Sequence, residues 1–210
     1  MPKDKTLRRS PEDHYRQTWK VHGLLEDFRI EDVWNIPVQL NETDSIPEFR
    51  KKMNQALDEF TKSGIAGFLF QFRLFLGKIF GWDNNSENLI ESAGSIRSRY
   101  ANRNNIPISQ LIPLEGADFE PVYEFGDEFL SEIENATVHA ALHLGKIALD
   151  NDTYTIDLTV YVKPKGMFGR IYMKIIQLPR HLIIYPLMLK TIAKAWNQTK
   201  DQNEVQVQVG

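Results

Sequence analysis

The stretch TVHAALHLGKIALDNDTYTIDLTVYVKPKG, Thr137 to Gly166, decides how the rest of this chain is read. In its second half Tyr154, Ile156, Leu158, Val160 and Val162 alternate with Thr155, Asp157, Thr159, Tyr161 and Lys163. A period of two with one apolar side is the pattern of a half-covered strand. The first half alternates as well, setting Val138, Ala140, Leu142 and Leu144 against His139, Ala141 and His143. Toward the turn DNDT the apolar set changes parity to Ile147 and Leu149, so a one-residue bulge near Gly145 and Lys146 is expected. A hairpin closed over Asp150 to Thr153 then pairs Leu149 with Tyr154, Ile147 with Ile156, Leu144 with Leu158 and Leu142 with Val160. The two histidines fall opposite Thr159 and Lys163, on the face expected to meet solvent.

That assignment governs the chemistry available to His139 and His143. Their spacing of four matches the zinc-binding histidines of helical metalloproteases, but on a strand they stand about 13 Å apart at ~3.3 Å per residue, too far to share one ion. The intervening Ala-Ala-Leu also supplies no glutamate base. No metal site is expected, and His143 stays only as a weak candidate for acid–base work.

Working outward, KPKGMFGRIYMKIIQLPRHLIIYPLMLKTIAKAW follows the hairpin with a helical period. Phe168, Ile175, Leu182, Leu189 and Trp196 recur every seven residues, with Ile171, Leu178, Tyr185 and Ile192 three further on. The stripe keeps phase across Pro179 and Pro186, so one long helix kinked at the prolines, or two or three coaxial pieces, is expected along the sheet. His181 flanks the stripe one turn before Tyr185, where the pair is placed to bind or protonate a ligand. The Gly-containing turn carrying Lys163, Lys165 and Arg170 is a candidate contact for a phosphate or carboxylate.

Before the hairpin, FEPVYEF and DEFLSEIEN read as strands, the second also compatible with a short helix. Their carboxylates, Glu124, Asp127, Glu128, Glu132 and Glu134, follow no calcium-loop spacing and read as a solvated face. SIPEF at 45–49 has a capping-box pattern with Ser45 as N-cap, and a helix to about Phe60 is expected. Gly64 to Trp82 is apolar on nearly every side yet interrupted by Arg73 and Lys78, which favours a buried helix over a membrane span. The Asn- and Ser-rich run after it reads as irregular, with at most a short helix.

A chain of 210 residues builds one substantial core, and its formal charge of −3 argues against a general nucleic-acid binder while leaving room for local basic patches. The absence of cysteine excludes disulfides, thiol catalysis and Cys-type zinc sites. No dinucleotide fingerprint, P-loop, nucleophile elbow or kinase set is present, and no cofactor is expected. Residues 1–17 read as a flexible arm, 18–196 as a single domain and 197–210 as a polar tail, and without a signal-like apolar core a cytoplasmic location is expected.

VYEFGDEFLSEIENATVHAALHLG, with YVKPKGMFGRIYM and LPRHLIIYPLML, resembles an uncharacterised bacterial family, a domain of unknown function. The resemblance covers about Phe119 to Trp196 and extends loosely to DVWNIP and LGKIFGW. It implies an α+β helix-grip fold like that of the START, pollen-allergen and polyketide-cyclase superfamily, a curved antiparallel sheet packed around a long, Pro-kinked C-terminal helix. It brings no established catalytic residues. On this reading the protein holds a hydrophobic or amphipathic small molecule between sheet and helix, lined by Phe168, Ile171, Tyr172, Ile175 and Tyr185. The alternatives are a cyclase- or hydratase-type enzyme using His181, Tyr185 or His143, with Asp157 as a second orienting group, and a module for a membrane surface or protein partner.

Overall fold

The computed structural model describes residues 7–62, 94–115, 119–134, 138–149, 152–166 and 180–209. In chain order the elements are β1 (Arg8–Arg9), α1 (Pro11–Tyr15), α2 (Val21–Leu24), β2 (Arg29–Leu40), α3 (Ile46–Thr61) and α4 (Ile96–Asn104). There follow β3 (Glu120–Glu124), β4 (Glu128–Glu134), β5 (Val138–Ala148), β6 (Tyr154–Pro164), a π turn (Arg180–Ile184) and α5 (Tyr185–Val209). The strands form one curved, open antiparallel sheet of six in the order β1-β2-β6-β5-β4-β3, so the class is α+β.

Both faces of the sheet are covered. On one, Trp34, Ile36, Leu144, Leu158 and Val160 meet Ile46 and Phe49 of α3 and Tyr185, Leu189, Ile192 and Trp196 of α5. On the other, Leu130, Ala141, Tyr123 and Tyr161 meet Val21 and Leu24 of α2, Phe28, and Ile96 of α4. Helix α3 starts as its sequence dictates: the Ser45 N–H donates to Glu48 Oε2 at 3.2 Å, and Pro47 sits in the first turn. Helix α4 starts at Ser95, whose hydroxyl accepts from the Ser98 N–H at 3.1 Å, and stops at Asn105 in the left-handed region, φ 53°.

The hairpin register agrees with the sequence expectation over most of its length: Leu144 pairs with Leu158, Leu142 with Val160, His143 with Thr159 and His139 with Lys163. The expected bulge is absent, because pairing continues through Gly145↔Asp157 and Lys146↔Ile156 to Ala148↔Tyr154. Ile147 shares the histidine face, and it is buried because that face is covered. The parity change thus reflects a sheet packed on both sides. Leu149, beyond the strand, is 46% exposed. Gly145 has a different explanation: a Cβ there would lie 2.7 Å from the Trp19 indole, which rests directly on the strand.

One further expectation is corrected. The histidine face is not solvated, since His139 and His143 are both buried. In the arm expected over 1–17, β1 extends the sheet from Arg8, and His14 of α1 is fully buried. The segment read as a polar tail is helical to Val209. Within DEFLSEIEN, Glu128–Glu134 is the strand β4, and the Asn- and Ser-rich stretch holds one short helix among its described residues, α4 at Ile96–Asn104. Pro186 lies within α5 immediately after the π turn; lacking an N–H, it cannot donate to the carbonyl four residues back, and the wider turn relieves that junction. Gly64 to Trp82, Pro179 and the first part of the C-terminal stripe lie outside the described residues.

Gly145→Ala is expected to lower the unfolding free energy by about 1–3 kcal/mol, the usual cost of overpacking a filled site. Urea unfolding measures it, and an unchanged midpoint would mean that Trp19 does not rest on β5.

Candidate functional site

The histidines of β5 meet glutamates of β4 with the same spacing. His143 Nε2 lies 3.2 Å from Glu128 Oε1, and His139 Nε2 lies 2.7 Å from Glu132 Oε2. Each glutamate also receives the start of a helix. Glu128 accepts from the N–H groups of Lys20 and Val21 at 3.1 Å each, and Glu132 from those of Ile96 and Arg97 at 2.8 Å each. These N–H groups have no partner inside their own helices, and a carboxylate there also meets the positive end of the helix dipole. Arg97 fastens α4 further by donating to the carbonyls of Pro121 and Ile112. Two residue pairs thus lock two helices onto one face of the sheet.

Around Glu128 the packing becomes a polar cluster. Tyr123 Oη donates to Glu128 Oε1 at 2.5 Å, so the carboxylate has four donors. Burial works most strongly to raise the Glu128 pKa, but His143, Tyr123 and the Lys20 N–H outweigh it and hold it at about 2. His143 is kept neutral, chiefly by burial. His14 packs 5.2 Å from His143 and 5.0 Å from His22, ring centre to ring centre. Burial first, then those two neighbours, push its pKa down to about 3. Its Nε2 lies 2.7 Å from Tyr161 Oη and its Nδ1 3.1 Å from Thr159 Oγ1. The three imidazoles do not converge on a common point: their Nε2 atoms address Tyr161, Glu128 and the Gln17 carbonyl. Among the described residues no group of three or more potential ligands is arranged to hold a metal. The cluster is a fastening for α1 and α2.

The remaining candidate lies between β2 and the final helix. Asp32, 1% exposed, projects among the apolar side chains that β2 turns toward α5. His181 Nε2 is 2.6 Å from Asp32 Oδ1, and Arg8 Nη2 is 3.5 Å from the same oxygen. The Trp34 ring lies 4.9 Å from Tyr185 and 5.8 Å from His181, and His181 stacks on Tyr185 at 6.1 Å. The His181 side chain keeps 15% of its exposure. Trp34 Nε1 is buried without a hydrogen-bond partner among the described residues. The structure therefore brings His181 and Tyr185 together, as their spacing implied, and adds Asp32 and Trp34, which the sequence reading did not single out.

Other candidates are placed elsewhere. Asp157 is held by Asn35 Nδ2 at 3.0 Å and Arg9 Nε at 3.2 Å, and burial raises its pKa. Lys163 pairs with Asp27 at 2.6 Å and Lys165 with Glu134 at 2.7 Å, so both lysines of the expected anion turn already have carboxylate partners. Phe168, Arg170, Ile171, Tyr172 and Ile175 lie outside the described residues. On the opposite face Tyr100, Tyr123, Phe125, Ile106 and Leu111 border a cleft of about 240 Å³. Its carboxylate, Glu124, is engaged by Arg50, and Tyr123 by Glu128, which leaves few groups to orient a guest.

The chain belongs to a family described as "Protein of unknown function (DUF2867)", whose model matches residues 24–188. The match includes Asp32, Glu128, Glu132, His139, His143 and His181, and it begins after His14 and His22. Comparison with curated proteins and with solved structures finds no match.

Replacing Glu128 by alanine leaves four donors without their acceptor. A buried group left unsatisfied costs about 1–3 kcal/mol, so Glu128→Ala is expected to destabilise by more than about 3 kcal/mol in urea unfolding. Glu115→Ala, which removes one exposed ion pair, is expected to cost under about 1 kcal/mol. Equal losses in the two variants would refute the fastening role. Acid is expected to loosen the same cluster. His14 and Glu128 both bind protons less readily folded than unfolded, so protonation favours the unfolded chain. The His14 contribution is complete above pH 6.5 and is lost as pH falls toward 3; that of Glu128 is complete above 4.5 and is lost toward 2. Thermal melts should show Tm falling from pH 6.5 downward, less steeply for His14→Gln.

Proposed function

We propose that this member of a family of unknown function holds a small apolar or amphipathic molecule at the junction of the sheet and its final helix. The contact between Asp32 and His181 beneath Trp34 and Tyr185 carries this reading. A carboxylate is costly to place on an apolar sheet face, so its presence there calls for a polar partner. His181 and Arg8 both approach it, and the His181 side chain keeps part of its exposure at the edge of the contact. Aromatic walls with one or two fixed polar groups are the usual make-up of a small-molecule site. The helix-grip arrangement belongs to the same proposal, with Phe168, Ile171, Tyr172 and Ile175 completing the lining.

A second reading, acid–base chemistry on the bound molecule, is favoured by one feature of the same pair. A buried carboxylate beside a partly exposed imidazole orients that ring, as a general acid or base requires. Asp32, rather than Asp157, is the orienting residue.

Native mass spectrometry of the freshly purified protein, followed by denaturing extraction, tests the binding reading. A retained apolar molecule is expected, and Trp34→Leu and His181→Ala should each weaken its rebinding about tenfold, the effect of losing one good contact. A protein that arrives empty, and whose Trp34→Leu variant takes up the apolar probe anilinonaphthalene sulfonate as wild type does, would overturn it.

A further inference from the structure

We infer that the outer strip of the final helix is a docking surface for an anionic lipid membrane. Helix α5 buries Tyr185, Leu189, Ile192, Ala193 and Trp196 against the sheet and α3. Its outer side begins with large apolar groups left in water: Leu182 is 68% exposed in the π turn, Ile183 41% and Leu187 41%. The strip continues through Lys190 and Lys194, which follow Leu187 by three and seven residues and are exposed. Neither lysine has an ion pair among the described residues, unlike Lys163 and Lys165.

Charge identifies the partner. Between Asp157 and Asp201 every charged side chain is a lysine or an arginine, in a chain whose formal net charge is −3. The remainder of the protein is therefore strongly acidic, while α5 from Tyr185 to Lys200 has lysines and no carboxylate in its sequence to repel phosphate. Apolar side chains at one end and exposed lysines along the same strip match the two layers of a lipid interface, acyl chains below and anionic headgroups above. A nucleic acid has no use for the three exposed aliphatic groups. The contact is one of adsorption: among the described residues no helix is long and apolar enough to cross a membrane. The inference is independent of the ligand site, since Leu182, Leu187, Lys190 and Lys194 take no part in it.

Vesicle flotation of the full chain tests this, comparing phosphatidylcholine alone with an equimolar mixture of phosphatidylcholine and phosphatidylserine. Anionic vesicles are expected to bind at least about tenfold more tightly at low salt, the preference fading as salt screens the lysines. Lys190→Glu with Lys194→Glu should remove the preference, and Leu182→Gln with Leu187→Gln should reduce binding to both vesicle types, each with an unchanged Tm. The inference is overturned if the two vesicle types bind equally, if either pair of substitutions leaves binding unchanged, or if sizing shows a dimer that the leucine substitutions dissolve.

Discussion

Two carboxylates on one strand hold this fold together on its polar side. Glu128 and Glu132 stand four residues apart on β4, and each receives the first N–H groups of a helix from above and a histidine from β5 beside it. A carboxylate buried in an apolar layer is unfavourable unless its oxygens are fully engaged, and here they are. The arrangement fixes where α2 and α4 begin, and through them where Val21, Leu24 and Ile96 fill the space above Leu130, Ala141 and Tyr161. His14 extends the fastening to α1, tying the first turns of the chain to Tyr161 and Thr159 on β6.

The other face works by shape alone over most of its area. Leu158, Val160 and Leu144 on the central strands meet Leu189, Ile192 and Trp196, and fully covering such side chains is the dominant favourable contribution to folding. A fully buried carboxylate, Asp32, interrupts this face where Trp34, His181 and Tyr185 gather at the first turns of the final helix. The two faces thus divide the work. The Glu128 and Glu132 carboxylates on one face are engaged in holding helices down, while the His181 side chain near Asp32 keeps some exposure.

The same division separates histidines by role. His139 and His143 are buried and bonded to carboxylates that also serve helices. His181 has a carboxylate beside it and keeps part of its side chain exposed. Burial distinguishes the two cases, and it is a property of the assembled sheet.

The sequence by itself determined the β5–β6 register from Leu144 and Leu158 away from the turn, the capping box that starts α3, and the apolar stripe of the final helix from Tyr185 to Trp196, though not Leu182, which the stripe included and which is 68% exposed. Each rests on neighbours in the chain, through a period of two, a period of three and a half, or a side chain reaching its own backbone. The equal spacing of Glu128 and Glu132 and of His139 and His143 was also present in the sequence, and it marked their pairing once the two strands were set side by side. Only the tertiary structure decided that the histidine face is covered, that Gly145 makes room for Trp19 and that Asp32 meets His181. In each of these the partner lies far away in the chain, and alternation within a strand shows that two faces differ without showing what covers either one.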